Sequence, residues 1–451
     1  MRAVRRTTSK LFVLVAVAMA TALPISTGVG RADTIPAPPP LATSDNVQVL
    51  GNIPIAPAAG INFTGHYAYV TGWDGVSVLD IANAASPSVV GFLPLPHFEN
   101  EDVDLCGNTL LVSNDRESGQ RGSVLYVIDI SNRTQPTILA VLPLGDPTSS
   151  ERGSGHISNF VKGDCSLAWI DGGARVEVIS LKDRAQPKSL GKFESKASLS
   201  DAFHVTHDTE RDSKGILWSV GGGGAAGYQL TSRPLKPRLL ATTGKAGVNP
   251  SLYNDFILHN SQRRGSTLLV TEEDYIDTDE VPPGSCHGQG KFQTWSLANM
   301  DNGRIKPLDT WQTELNGLIF GGSSDSKAPA TVNCSSHWFD TVGGIAAVGW
   351  YEQGTRFLDV SHPKNIRQIG FYLPANGSTW AAYWSPTDPS HQIVYTADVY
   401  RGVDVLRIDR SSSGAAAMGT VTAPIPQEWY ESQVTYHESQ TFSWFCPVFG
   451  A

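Results

Sequence analysis

Short apolar stretches with a two-residue period recur along the chain, each closed by a turn of small or polar residues. Their shared phrase is four residues long, mostly apolar, with a polar third position. It reads Val78-Leu79-Asp80-Ile81, Val127-Ile128-Asp129-Ile130, Val178-Ile179-Ser180-Leu181 and Gly227-Tyr228-Gln229-Leu230. It continues as Thr294-Trp295-Ser296-Leu297, Phe357-Leu358-Asp359-Val360 and Val405-Leu406-Arg407-Ile408. Alternation of this kind predicts strands, because successive strand side chains face opposite sides of a sheet. The seven third positions lie 49, 51, 49, 67, 63 and 48 residues apart. A period near ~50 residues is that of a propeller blade of four short strands. The two long intervals carry insertions, around Tyr275 to Lys291 and Phe320 to Val332, whose Gly, Ser, Pro and Asp content predicts loop.

A strand precedes each phrase, as at Tyr67 to Val70, Thr109 to Val112, Thr267 to Val270 and Ile345 to Val348. Another usually follows, as at Pro87 to Gly91, Pro136 to Ala140 and Ile366 to Gly370. A less regular polar and apolar stretch ahead of these supplies the innermost strand. The expectation is an all-β chain, a seven-bladed β-propeller of four-stranded blades. The seventh phrase, ending at Asp409, has no outer strand after it, whereas Val47-Gln48-Val49-Leu50-Gly51 has the outer-strand pattern and no blade of its own. An N-terminal strand that completes the last blade closes the ring and removes exposed edges.

Composition fits this picture: 44 Gly, 28 Pro and 17% charged residues suit a turn-rich all-β protein. A net charge of −9 without a Lys/Arg cluster argues against nucleic acid or an anionic membrane as partner. At the N-terminus, Arg2, Arg5, Arg6 and Lys10 precede an apolar run from Leu11 to Leu23 that is too short to span a bilayer. Gly30-Arg31-Ala32 then offers a cleavage site before Asp33. Residues 1–32 therefore read as a signal peptide for general secretion, and the expected location is secreted or cell-surface associated. Residues 33–44, with Pro36, Pro38, Pro39 and Pro40, read as a stiff linker, 45–410 as the propeller and 411–451 as a C-terminal tail. No later segment is long and apolar enough for a transmembrane span, and a monomer is expected. Five cysteines leave at least one outside any intrachain pair. Placed on the repeat, Cys286 with Cys334 is the first pairing expected, Cys106 with Cys165 the second, and Cys446 is left over.

The stretches from Gly65 to Gly91 (GHYAYVTGWDGVSVLDIANAASPSVVG) and from Gly349 to Gly370 (GWYEQGTRFLDVSHPKNIRQIG) resemble the LVIVD-repeat family of bacterial surface and secreted propellers. The resemblance recurs over roughly residues 45 to 410. It implies the fold and an exported location, and it carries no settled activity. Leu258-His259-Asn260 followed by Thr271-Glu272-Glu273-Asp274 is faintly similar to selenium-binding/methanethiol-oxidase propellers, which implies a metal at that place.

In a four-stranded blade the outer-to-inner connection and the connection between strands two and three share one face, the mouth of the channel. The first set of segments carries His97, Glu101, His156, His204, His207, Asp208, His259, Asn260 and His337. The second carries Glu272, Glu273, Tyr351, Glu352 and Arg401. His207, His259 and His337 stand at similar distances before the second strands of blades four, five and six. Neighbouring inner strands would bring them together, and three neutral imidazoles with an open position suit zinc or copper. Oxygen-rich parts of the mouth could instead suit calcium, which is the less favoured ion. Glu272 or Glu273 would serve as ligand or base. His97, Glu101, His156, Asp208, Asn260, Tyr351, Glu352 and Arg401 would contact a ligand. Against this stands the ordinary role of an inner-strand histidine, a hydrogen bond across the channel, and no HxH or HExxH spacing supplies a local chelate. Mouth aromatics such as Trp73, Trp350, Trp380, Tyr383 and Trp384 read as packing first. Gly221 to Gly224 reads as a tight strand connection, because no helix signal follows to make it a phosphate loop. Two functions remain open. One is a binding module for a small molecule, a glycan or a cell-surface partner; the other is a metal-dependent oxidase or hydrolase.

Overall fold

A computed structural model describes residues 34–37, 40, 42–95, 102–114, 123–144, 155–198, 204–244, 256–274, 290–313 and 335–411. The expected signal peptide, the expected tail beyond Ser411, and His97, Glu101, Cys286, Cys334 and Cys446 lie outside them.

Seven antiparallel sheets form the molecule, each built around one of the seven phrases. Blade one is typical, with strands Ile61–Thr64, Tyr67–Gly72, Gly75–Asp80 and Ser88–Pro94 in spatial sequence. Its second and third strands are almost wholly buried, and its outer strand is partly exposed. That gradient explains why the two middle strands read so clearly in the sequence: both of their faces are covered by neighbouring blades. Between blades two and three, for example, Leu111, Leu125 and Val127 pack with Ala168, Ile170 and Ile179.

The ring closes as expected. Val47–Ile53 pairs antiparallel with Gly402–Ile408 and is the outer strand of blade seven, opposite Thr379–Trp384 at the inside. All seven pairings of a third strand with an outer strand contain a register irregularity, including Val49/Gly51 in this one. The N-terminal strand thus carries the same bulge as the other six outer strands, which marks it as a true blade strand. Glycine is needed where the third strand begins beside the outer one. Gly75 (φ 142) and Gly402 (φ 88) have no room for a Cβ, which would stand 2.1 Å from the Leu93 carbonyl oxygen and 2.3 Å from that of Ile53. Part of the 33–44 segment lies on the ring: Ala42–Thr43 adds a fifth strand to blade six, and Ile35 bridges to Asn52.

Polar side chains on the inner strands join one blade to the next. The Phe160 amide donates to Asp104 (2.6 Å) and the Trp384 amide to Asp340 (3.1 Å). Asn62 donates to the Val103 carbonyl (2.9 Å), and Gln262 to that of Phe339 (3.3 Å). A disulfide links Cys106 to Cys165 across blades two and three, the second of the two expected pairings. Gly221 ends one strand and Gly224 starts the next, so the glycine run is a strand connection.

Candidate metal centre

Six blades carry a polar residue at one register of the inner strand, Asn62, Asp104, Asn159, Glu210, Gln262 and Asp340, and blade seven carries Tyr383 there. Three residues earlier the seven blades carry Ala59, Glu101, His156, His207, His259, His337 and Trp380. Four consecutive blades therefore place a histidine at the same point of the mouth. A regular strand would point that residue and the one after it to opposite faces. Register shifts at Thr206/Asp208, Leu258/Ser261 and Thr379/Ala381 break the alternation at this point in blades four, five and seven. Bulges re-aim side chains in this way beside functional sites.

The four imidazoles form a row. His156 Nε2 lies 2.9 Å from His207 Nε2. The ring centroids of His207 and His259 are 3.7 Å apart, and those of His259 and His337 are 3.9 Å apart. His337 then meets Tyr351 and Trp380, each at 4.9 Å. Burial is complete, with His207 and His259 at 0% exposure and His156, His337 and Glu273 at 1%.

Backbone carbonyls set the tautomers. His207 Nδ1 lies 2.9 Å from the carbonyl oxygen of His259, and His337 Nδ1 lies 2.9 Å from that of Trp380. A carbonyl only accepts, so both Nδ1 atoms carry a proton, and Nε2 is the atom of each ring left to act as acceptor or ligand. His156 then donates its Nε2–H to His207 Nε2, a bond that a metal ion at His207 would replace. Nδ1 pinned by a backbone carbonyl is the arrangement found behind histidines that ligate metals.

Glu273 supplies the oxygen donors. Its carboxylate is 3.5 Å from His259 Nε2 and 4.0 Å from His337 Nε2, and it accepts a hydrogen bond from the Tyr351 hydroxyl. One donor atom each from His207, His259 and Glu273 lie within 4.8 Å of one another. Tyr351 has φ 40, a left-handed conformation that a tyrosine rarely adopts, in the turn that aims its hydroxyl at Glu273.

The other expected residues separate. Glu272 turns away from the row: it accepts from the Lys291 amide (3.0 Å) and from the Gln293 side chain, and burial raises its pKa to about 7. Arg401 belongs to a buried network, bonded to Asp404 (2.8 and 3.0 Å), to the Tyr372 hydroxyl (3.1 Å) and to the Ala375 carbonyl (3.1 Å). Glu352 is buried in the turn after Tyr351. Asp208 and Asn260 lie one residue beyond their histidines and bond to each other (3.3 Å). His204 is exposed. Trp350, Tyr351 and Trp380 are fully buried, in keeping with a packing role for most of the mouth aromatics.

Asp171 was not among the expected residues. It is fully buried at the end of the second strand of blade three, and burial raises its pKa to about 6 against the Thr209 and Thr206 hydroxyls and the charge of His156. Its signal in the sequence is its register: Thr71, Ser113 and Thr271 hold the same place in blades one, two and five.

The LVIVD repeat matches residues 57–93 and 120–140. No curated protein matches the chain. Among solved structures it is similar to the Cps50 (Swd1) β-propeller domain of Myceliophteria_thermophila, with a TM-score of 0.53 and 11% identity over 80% of this chain and 100% of that one. It is similar to the periplasmic gluconolactonase PpgL of Pseudomonas aeruginosa, with a TM-score of 0.50 and 10% identity over 70% of this chain and 85% of that one. A putative 6-phosphogluconolactonase of Bacteroides uniformis gives a TM-score of 0.50 and 11% identity over 78% and 92%. Identities this low show the fold alone. From the seven closed blades and the repeat match, the protein is a seven-bladed β-propeller carrying LVIVD repeats.

Proposed function

We propose that this propeller is an exported binding module whose channel mouth takes up a borderline transition-metal ion, zinc or copper, through His207, His259 and Glu273, with His337 packed beside them. The observation that carries the reading is the cluster of His207, His259 and Glu273, whose donor atoms already lie within 4.8 Å of one another at full burial. Metal–donor bonds of about 2.0–2.1 Å put two ligands of one tetrahedral ion roughly 3.3 Å apart. The 3.5 Å between His259 Nε2 and Glu273 is close to that span, so small movements would complete a site. Mixed nitrogen and carboxylate donors suit zinc or copper over calcium. The Cys106–Cys165 disulfide supports export, since such bonds persist in oxidising compartments.

One observation favours a second reading, a metal-dependent hydrolase or oxidase. Two histidines and a glutamate are a three-ligand set that leaves a position for water, and the strained Tyr351 hydroxyl holds the carboxylate beside it.

Elemental analysis of the purified protein and of His207→Ala, His259→Ala and His337→Ala variants tests the first reading. Stoichiometric zinc or copper that is lost in the His207→Ala and His259→Ala variants is the expected result. A native protein that stays metal-free after incubation with both ions contradicts it.

A further inference from the structure

The polar third position of the repeat changes its charge around the ring. It is acidic in blades one, two and six, as Asp80, Asp129 and Asp359, and neutral in blades three, four and five, as Ser180, Gln229 and Ser296. The residue facing it across the sheet begins the outer strand. That residue is Ser88 in blade one and Thr137 in blade two. In blades three to six it is a cation: Lys188, Arg238, Lys306 and Arg367. Where both charges are present they pair, Arg367 with Asp359 at 2.9 Å. In blades three to five the cation has no acid opposite, for Lys188 faces Ser180, Arg238 faces Gln229 and Lys306 faces Ser296. Blade seven is different again, with Gln48 facing Arg407.

Three neighbouring blades therefore present an exposed cation at one register, beside the connection of strands three and four, on the face opposite the mouth. Among the described residues none of the three forms an ion pair, and Arg238 donates to the Gln229 side chain. The turn before each outer strand adds charge at the same level: Lys182 in blade three, Arg233 and Lys236 in blade four, Arg304 in blade five, all exposed. Asp183 and Asp301 are the acids in these turns, too few to neutralise them. Each turn lies against the blade before it, so the surface is continuous. A Cβ on Gly191, in the outer strand of blade three, would stand 3.3 Å from Leu235 in the turn of blade four. Blades four and five join there by two backbone hydrogen bonds, from the Thr242 amide to Gly303 (3.3 Å) and from the Ile305 amide to Thr242 (3.4 Å). A chain of net charge −9 thus gathers cations on one flank, from positions a whole repeat apart in sequence.

A single exposed cation gains little from one contact, because water and salt screen it. A series of unneutralised cations is matched by a ligand that repeats its own charge. The flank of a ring is curved, so a flat bilayer meets it at one blade, whereas a flexible chain can follow it across three. No aromatic ring is exposed at this register among the described residues, so base stacking adds nothing here. Phosphate suits the residue types present, since arginine grips its oxygens in pairs and lysine serves it as a point charge. We propose that the flank of blades three to five binds a flexible linear polymer of phosphate groups, with Lys188, Arg238 and Lys306 as its contacts in successive blades. The surface lies across the ring from the imidazoles, and the proposal is independent of whether a metal binds there.

The test titrates the full chain into end-labelled long-chain inorganic polyphosphate and reads fluorescence polarisation. Saturable binding is expected, weakened about tenfold as salt rises from about 50 to 200 mM, because each phosphate contact releases a counterion. Ser180→Asp combined with Gln229→Asp and Ser296→Asp restores the acid in all three blades and gives each cation the partner that Arg367 already has. This triple variant should fold as the native chain does and bind about tenfold more weakly, as should Lys188→Ser combined with Arg238→Ser and Lys306→Ser. Arg367→Ser, which removes a cation already paired, should leave binding unchanged. Absence of saturable binding to polyphosphate overturns the proposal, and so does undiminished binding in either folded triple variant. Tighter binding to vesicles of phosphatidylserine and phosphatidylcholine in equal parts, or to single-stranded DNA of equal charge, overturns it as well and assigns the flank to a membrane or to nucleic acid.

Discussion

His207 and His337 owe their readiness as ligands to atoms that no motif records. Each ring is turned by a backbone carbonyl, of His259 in one case and Trp380 in the other. The sequence shows which residue types reach the mouth, and the trio of histidines is legible there by counting back from the strands. Their company is not. Glu272 and Glu273 look alike as letters, yet one bonds to Lys291 and Gln293 and the other faces the imidazoles. The turn that brings Tyr351 onto Glu273 joins blade six to blade five, a contact 78 residues apart in sequence. Removing that one hydroxyl tests its purpose. Tyr351→Phe should lower zinc affinity about tenfold, the usual effect of losing a group that orients a ligand, measured by competition with a chromophoric chelator. Unchanged affinity would leave the strained tyrosine as a packing feature only.

At the scale of elements, the blades read clearly because their middle strands are buried on both faces and keep strict alternation. Inner strands read poorly for the opposite reason. They carry polar residues that bond across blades, such as Asp104 to Phe160 and Asp340 to Trp384, and bulges that shift the alternation by one residue. Aligning the blades on those polar residues recovers the missing information and puts His156 in line with the other three histidines. The Cys106–Cys165 pair follows from the same alignment, for it joins equivalent turns of neighbouring blades. With 59 residues between its ends, loop entropy alone makes it worth about 4 kcal/mol. Replacing both cysteines by serine should lower the urea midpoint accordingly without changing the circular dichroism of the folded ring. An unchanged midpoint would show that the blades are held as firmly by the inner-strand bonds.

For the whole molecule, closure by Val47–Ile53 makes the ring one cooperative body in which seven inner strands crowd acidic groups around the axis. Burial, with Asp104, Asp102 and Asp340 adding to it, raises the Glu210 pKa to about 8 from an ordinary 4.5. Asp104 is raised by burial to about 6, against the hydrogen bonds it accepts from Phe160 and Leu105. Both carboxyls bind their protons more tightly when folded than when unfolded. Their stabilising contribution is therefore complete below about pH 4 and is lost as pH rises towards about 6 for Asp104 and about 8 for Glu210. The chelator-treated protein should melt higher at pH 5 than at pH 9, and Glu210→Gln should narrow that difference. A melting temperature that climbs between those pH values would contradict this electrostatic account.

Anomalous diffraction from crystals grown with zinc decides whether the imidazole row holds a metal. One strong peak is expected, bonded to Nε2 of His207, Nε2 of His259 and a carboxylate oxygen of Glu273, at about 2.0–2.2 Å from each. Crystals that take up zinc elsewhere on the surface, while the four imidazoles keep their row without a peak among them, would contradict it.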